Sequence, residues 1–384
     1  MRDAETTIPG RDEERGIALV VVLLVLILCS ILALEIKSTA VLHLRLATNK
    51  RNDFLMREAM RGQLEVIKQV LLYDLKENQI ESLEDSWLDD RYTSFQDAPD
   101  PDEERDPEEP ISSTGVALDA RVEDEARKFN LNNLNIEDET IRKHWEEVFV
   151  RLLRLYREDH AQYSISQGKA EELLGNVQEW MKRQGDDLGL PPPSTAEESQ
   201  VMVTPDELLL VKGFDREMFY DQKPEEDGDP EIPGLYRYLT LWSEGPVNLN
   251  TADAILVKAL FREEDERVAE DFLAWRDEEA EEQDEDLGLD EDPATNTLKS
   301  IGDLKNVDGI DQAVVNRNRL GTTGTVSSSR FSIHLEGEDE NGLRRQERWV
   351  LLRNPKGFRT LLMESRNDPV VETDEDEEEE EEHR

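Results

Sequence analysis

The pattern of apolar and polar positions changes character once within the first 75 residues. From Ile17 to Leu34, eighteen residues follow one another without a charge. As a helix they reach about 27 Å at about 1.5 Å per residue, close to the roughly 30 Å of a bilayer's hydrocarbon core. The block therefore predicts a membrane span. From Lys37 to Leu75 there is no Pro and one Gly, and Met56, Met60, Leu64, Ile67, Leu71 and Leu75 recur three and four apart. That spacing is one apolar stripe on a long helix, so a single helix is expected to run from the membrane into a water-exposed domain.

Beyond it the periodicity alternates between strand and helix. Val116 to Val122 reads apolar, polar, apolar, as a strand does. Phe129-Asn130-Leu131-Asn132 continues the alternation into an Asn-rich turn. Helical faces follow in Ile141, Trp145, Val148 and Leu152, then in Leu173, Val177 and Trp180, then in Val268, Phe272 and Trp275. Thr204-Pro205-Asp206-Glu207 carries an N-cap, a first-position Pro and acids in the first turn, and leads through Leu208 to a turn at Gly213-Phe214. Ile301 to Asp311 repeats that layout around Gly309. Val247-Asn248-Leu249-Asn250-Thr251-Ala252 begins another helix, with Thr251 as its expected N-cap. The C-terminal part returns to strands: Phe331, Ile333 and Leu335 alternate, Arg348 to Leu352 comes back, and Phe358 to Met363 makes a third.

Composition sharpens this picture in two ways. The 384 residues carry a formal net charge of −46, which favours solubility and repels nucleic acid and anionic headgroups. The acids concentrate in 96–110, 277–293 and the run 374–382, which read as solvated segments, as does 185–198 with its three consecutive prolines. The single cysteine, Cys29, lies inside the apolar block, so cysteine usage does not report the redox compartment. No Gly-rich phosphate loop, Gly-x-Ser-x-Gly or His-Glu-x-x-His is present, and the five histidines are scattered, so no enzyme activity is expected. Asp227-Gly228-Asp229, preceded by Glu225 and Glu226, is the best local calcium candidate, without the spaced ligands of an EF-hand loop. The two Gly-centred hairpins and Val-Asn-Leu-Asn-Thr-Ala are similar to helix-hairpin-helix DNA-binding modules, but Asp215, Asp303, Asp308 and Asp311 sit where phosphate would have to bind.

The junction Arg15-Gly16-Ile17-Ala18-Leu19-Val20-Val21 resembles the leader of type IV pilin-like precursors, which a membrane peptidase cuts after the Gly. That resemblance places the cut between Gly16 and Ile17. Most such chains have Glu at the fifth mature position, where Val21 stands here, and the K-type minor pseudopilins of type II secretion lack it. Three further segments resemble that branch: Phe129-Asn130-Leu131-Asn132, Glu207 to Gly213-Phe214, and Asn248-Leu249-Asn250-Thr251. The K-type resemblance implies an α+β fold in which a long N-terminal transmembrane and amphipathic helix packs on a small antiparallel pilin-like sheet carrying a large inserted helical domain. Its parts would be a leader (1–16), a span (17–34), an amphipathic continuation (35–75), the first part of the pilin-like domain (76–135), the insert (136–320), the closing strands (321–370) and an acidic tail (371–384). It further implies a subunit that starts and caps the tip of a secretion pseudopilus, with other minor pseudopilins and the prepilin peptidase as partners, calcium as a candidate ion, and the inner membrane as location, most of the chain being periplasmic. A minor pilin of a type IV pilus or uptake system, and a plain single-pass adaptor, are the alternatives. Charge does not support that orientation by itself: the leader holds five acids beside three arginines, while the far flank carries Lys37, Arg45, Lys50 and Arg51.

Overall fold

The computed structural model describes residues 11–88, 94–95, 116–158, 160, 163–183, 202–222, 232–278, 296–339 and 343–368, the side chains of 11–18, 86, 94, 95, 183, 367 and 368 excepted. It divides into two units, residues 1–59 and 60–384. Helix α1, Arg11–Glu77, runs through both without a break. In the first unit every described apolar side chain from Leu19 to Leu46 is exposed or nearly so, and the block passes the length and hydropathy test for a membrane span. Ser30 satisfies its hydroxyl by donating to the Leu26 carbonyl at 2.8 Å, the back-bond that lets a hydroxyl sit in an apolar helix.

In the second unit α1 buries the expected stripe: Met60, Leu64, Ile67 and Leu71 are covered, while Leu75 is half-buried. Among the described residues, strands β1 (Ser94–Phe95) and β2 (Val116–Asp124) join three long ones, β7 (Arg330–Asp339), β8 (Arg344–Asn354) and β9 (Gly357–Asp368), in an antiparallel sheet of order β1-β2-β7-β8-β9. Period-2 alternation sets the register. Val122 lies opposite Ile333, Ile333 opposite Trp349 and Phe331 opposite Leu351, which gathers the apolar side chains on one face. The closing strands run longer than the apolar positions alone indicate, because Arg344–Arg348 and Glu364–Asp368 keep pairing as polar ladders. A register shift at Val350/Leu351 lets both residues be buried in sequence.

The helical part leaves the sheet at the end of β2 and returns at the start of β7, and those two ends are register partners, Asp124 opposite Phe331. It is therefore an insert between neighbouring strands. It begins at Glu125, earlier than the expected 136, because Phe129, Leu131 and Leu134 bury in the helical core, and β3 (Phe129–Asn130) pairs in parallel with β4 (Leu239–Thr240). Helix α2 (Glu139–Leu155) is capped by Asp138, whose Oδ1 accepts from the amides of Thr140 at 2.8 Å and Ile141 at 3.1 Å. It packs on α3 (Gln167–Arg183) and α4 (Ala254–Leu260). Trp145 and Phe149 meet Phe129 at ring-centroid distances of 5.6 and 5.4 Å, near the preferred separation of aromatic pairs. Helix α5 (Glu266–Arg276) adds Phe272, fully buried. A short parallel bridge of β5 (Val247–Asn248) to β6 (Gly324–Thr325) closes the domain.

Both Gly-centred hairpins form, with one change of geometry. Their first helices, Pro205–Leu210 and Ile301–Asn306, are 3₁₀ rather than α. Their backbone bonds span three residues, as from the Glu207 amide to the Thr204 carbonyl at 3.2 Å and from the Val211 amide to the Leu208 carbonyl at 2.9 Å. Gly213 and Gly309 then take φ of +95° and +83°, left-handed values that favour glycine. The following helices are capped by Asp215 and Asp311.

Candidate functional site

One of the segments singled out for its family resemblance, Asn248 to Thr251, lies in a buried polar joint where the sheet, the end of α1 and the insert meet. Asp124 closes β2 and is wholly buried. Its Oδ1 accepts from the Ala126 amide at 2.7 Å, and its Oδ2 from Thr251 Oγ1 at 2.7 Å and Asn248 Nδ2 at 2.9 Å. Asn248 also donates to the Glu81 carbonyl at 3.2 Å, and its Oδ1 accepts from the Asn250 amide at 3.1 Å. Asn250 exchanges two 3.0 Å bonds with the backbone of Leu298. Arg276 Nη1 donates to the carbonyls of Leu249 at 3.2 Å and Ala252 at 2.7 Å, fixing the same turn from α5.

Thr251 is thus not the helix cap expected from its position. Asp253 caps α4, accepting from the Ile255 amide at 2.8 Å, while the Thr251 hydroxyl turns to the buried carboxylate. Asn130 works as a local turn and a distant tie: Oδ1 accepts from the Asn132 amide at 2.9 Å and Nδ2 donates to the Ser243 carbonyl at 2.7 Å. Asn132 itself is half-buried, and its side-chain amide makes no hydrogen bond. Gly213 and Phe214 lie apart, at the first hairpin, where Phe214 joins the helical core. Val21 is exposed on α1. Gly16 and Ile17 fall within α1, and their side chains lie outside the described residues, as do Asp227 and Asp229.

Sequence reasoning missed the charges that organise the joint. Arg353, only 3 % exposed, donates from Nη1 to Asp74 Oδ2 at 2.9 Å and the Leu71 carbonyl at 3.0 Å, and from Nη2 to Glu81 and to the Ser328 carbonyl at 3.0 Å. Its guanidinium stands 4.6 Å from the Phe331 ring centroid. Trp87 meets the same ring edge-on at 5.5 Å and donates to Asp85 Oδ2 at 3.0 Å. Burial pushes Asp74 up to about 6 and Glu81 up to about 7, and raises Asp85 and Asp124 as well. The only signal in the sequence is an Arg directly after Val350-Leu351-Leu352, a charge at the end of an apolar strand.

On the opposite face of the sheet, Glu125 is fully buried and accepts from Ser332 and Thr240, with Arg348 at 3.7 Å. Glu123 is paired with Lys128 and Arg121. Burial opposes its ionisation, but those two cations prevail and hold it well below the usual carboxylate range. His334 and His144 are pushed down to about 4, chiefly by burial. Among the described residues there is no cluster of three or more His, Cys, Asp or Glu side chains fit to hold a metal. A surface hollow of about 360 Å³ lies beside Arg157 and Tyr163. Arg157 gives its donors to the carbonyls of Pro233, Glu217 and Tyr220, which leaves it tying segments together. The chemistry assembled here is positional: acceptors and donors saturating one another across sequence separations above one hundred residues.

Residues 127–224 match the family described as type II secretion system (T2SS), protein K. The fold is similar to a chain in the crystal structure of the GspK-GspI-GspJ complex from the type 2 secretion system of enterotoxigenic Escherichia coli, with a TM-score of 0.52 and 16 % sequence identity, over 84 % of this chain and 100 % of that one. A search of curated protein sequences finds no match.

Proposed function

From the protein K match of residues 127–224, we propose that this chain is the K-type minor pseudopilin of a type II secretion system. What carries the reading is the insertion itself: a helical domain of the protein K kind set between β2 and β7, whose ends are register partners, on a chain whose α1 begins as an apolar span. The chain would stand in the inner membrane through α1 with the sheet and insert in the periplasm. It would join two other minor pseudopilins of the kinds crystallised with GspK, and help start and cap the pseudopilus tip. The exposed apolar side chains from Leu19 to Leu34 supply the bundling surface. The insert gives the subunit a width that leaves no seat for another subunit above it.

The prepilin peptidase would cut between Gly16 and Ile17, and a mature chain with Val21 at its fifth position lacks the in-membrane carboxylate that pairs with a neighbour's terminal amine. Intact mass and N-terminal sequencing of the protein from its native membrane test this. A methylated N-terminus at Ile17 is the expected result; an uncut chain in the presence of the peptidase leaves a plain membrane adaptor. Co-purification then separates secretion from a pilus: I- and J-type pseudopilins are expected as partners, major pilin is not. Calcium enters the reading only through Glu225, Glu226, Asp227 and Asp229. A rise in unfolding temperature with calcium but not magnesium, abolished in Asp227→Asn/Asp229→Asn, is the expected outcome.

A further inference from the structure

Four carboxyl side chains converge on one guanidinium in the joint. Asp74 comes from α1, Glu81 and Asp85 from the segment after it, and Asp124 from β2; each is at most 9 % exposed. Arg353 on β8 bonds two of them directly. Further charge reaches the cluster from Glu77 on α1. The other groups packed against it are neutral: the amide and carbonyl of Ser328, Asn248, Thr251, Ser82, Trp87 and the Phe331 ring. Full ionisation would leave one positive charge facing four negative ones in a dry site, and burying unpaired charge is strongly disfavoured.

We propose that the Arg353 cluster is a proton-linked latch, which holds the end of α1 and the 78–88 segment onto the sheet and insert while its surplus carboxyls carry protons, and loosens when they ionise. The protons come from solvent and return to it, and no bond other than O–H is made or broken. The direction follows from linkage. A carboxyl raised in the fold above its unfolded value binds more protons folded than unfolded, so stability falls as pH rises between the two values. With Asp74 raised from 3.8 to about 6 and Glu81 from 4.5 to about 7, the latch is tightest at about pH 4 and below and loosens progressively up to about pH 7. His144 and His334, neutral in the fold and lowered to about 4, weaken global stability as pH falls below about 6.5. The latch is therefore visible in local opening, not in a global unfolding curve. The inference concerns the joint alone and holds whichever fibre the chain serves.

Hydrogen exchange of the full chain in lipid nanodiscs, read by mass spectrometry at about pH 5.5 and about pH 7.5 and corrected for intrinsic exchange rates, tests it. Peptides covering 71–88 and 326–354 are expected to lose protection on the order of tenfold relative to α2 as pH rises. Glu81→Gln, which mimics the protonated carboxyl, is expected to cut that loss to within about threefold. Should Glu81→Gln fail to fold, Asp74→Asn serves, with a smaller reduction of the pH response. Equal protection at both pH values in the wild type overturns the latch. So does an undiminished pH response in the variant, since that assigns the effect to the net charge of the chain.

Discussion

Asp124 accepts three hydrogen bonds without any exposure to water, and the consequence of losing it depends on what replaces it. Asp124→Ala strands three buried donors, at about 1 kcal/mol or more each, so a loss of about 3 kcal/mol is expected in denaturant unfolding. Asp124→Asn keeps one acceptor oxygen but turns its Nδ2 toward a buried donor on the other side, and is expected to lose about 1–2 kcal/mol, less than the Ala variant. Equal losses would mean that the site needs the charge. Thr251 and Asp253 separate two roles that look alike in sequence. Asp253→Ala removes a cap, costing about 1 kcal/mol and leaving the joint intact, whereas Thr251→Ala acts through Asp124. In a double-mutant cycle Thr251→Ala is therefore expected to couple to Asp124→Asn, and Asp253→Ala to add independently.

At the scale of elements, the two hairpins look interchangeable as sequence and differ in their surroundings. Gly213 and Gly309 share a left-handed φ, so replacement by Ala strains both by about 1–2 kcal/mol. A Cβ at Gly213 would also lie 2.8 Å from Leu173 Cδ2 in α3, while at Gly309 its nearest neighbour is Asp271 Oδ2 at 3.9 Å. Gly213→Ala is expected to be the costlier change by about 1 kcal/mol in thermal unfolding. The same contrast explains what could be read without the structure. The α2 stripe of Trp145, Val148 and Leu152 and the β7 alternation of Phe331, Ile333 and Leu335 obey local periods, and both are buried where those periods place them. Thr251 facing Asp124, Arg353 reaching Asp74, and Phe129 belonging to the insert depend on partners far along the chain. No window of a dozen residues contains them. The 3₁₀ form of Pro205–Leu210 and Ile301–Asn306 escaped for another reason: capping chemistry marks where a helix starts and leaves its pitch open.

For the molecule as a whole, the insert behaves as a domain with its own aromatic core, tied to the sheet by the Asp124, Glu125 and Arg353 bonds. Ser332 and Arg348 reach Glu125 from the sheet as Thr240 does from the insert. Glu125→Gln is therefore expected to weaken the tie between the two without unfolding either. The reading is a change in proteolytic cleavage near 125–130 at unchanged helical circular dichroism.

The neighbouring ends of β2 and β7 also fix how the protein bears tension. Force applied between α1 and β9 enters the sheet, and the paired backbone from Val116–Asp339 to Asp124–Phe331 bridges the two points where the insert is attached. While that ladder holds, the insert hangs beside the load path and is not stretched. In a pulling experiment the ladder should part first, and only then should the insert extend, as a second and later lengthening. Under load, strain is thereby confined to the strands while the insert keeps its fold.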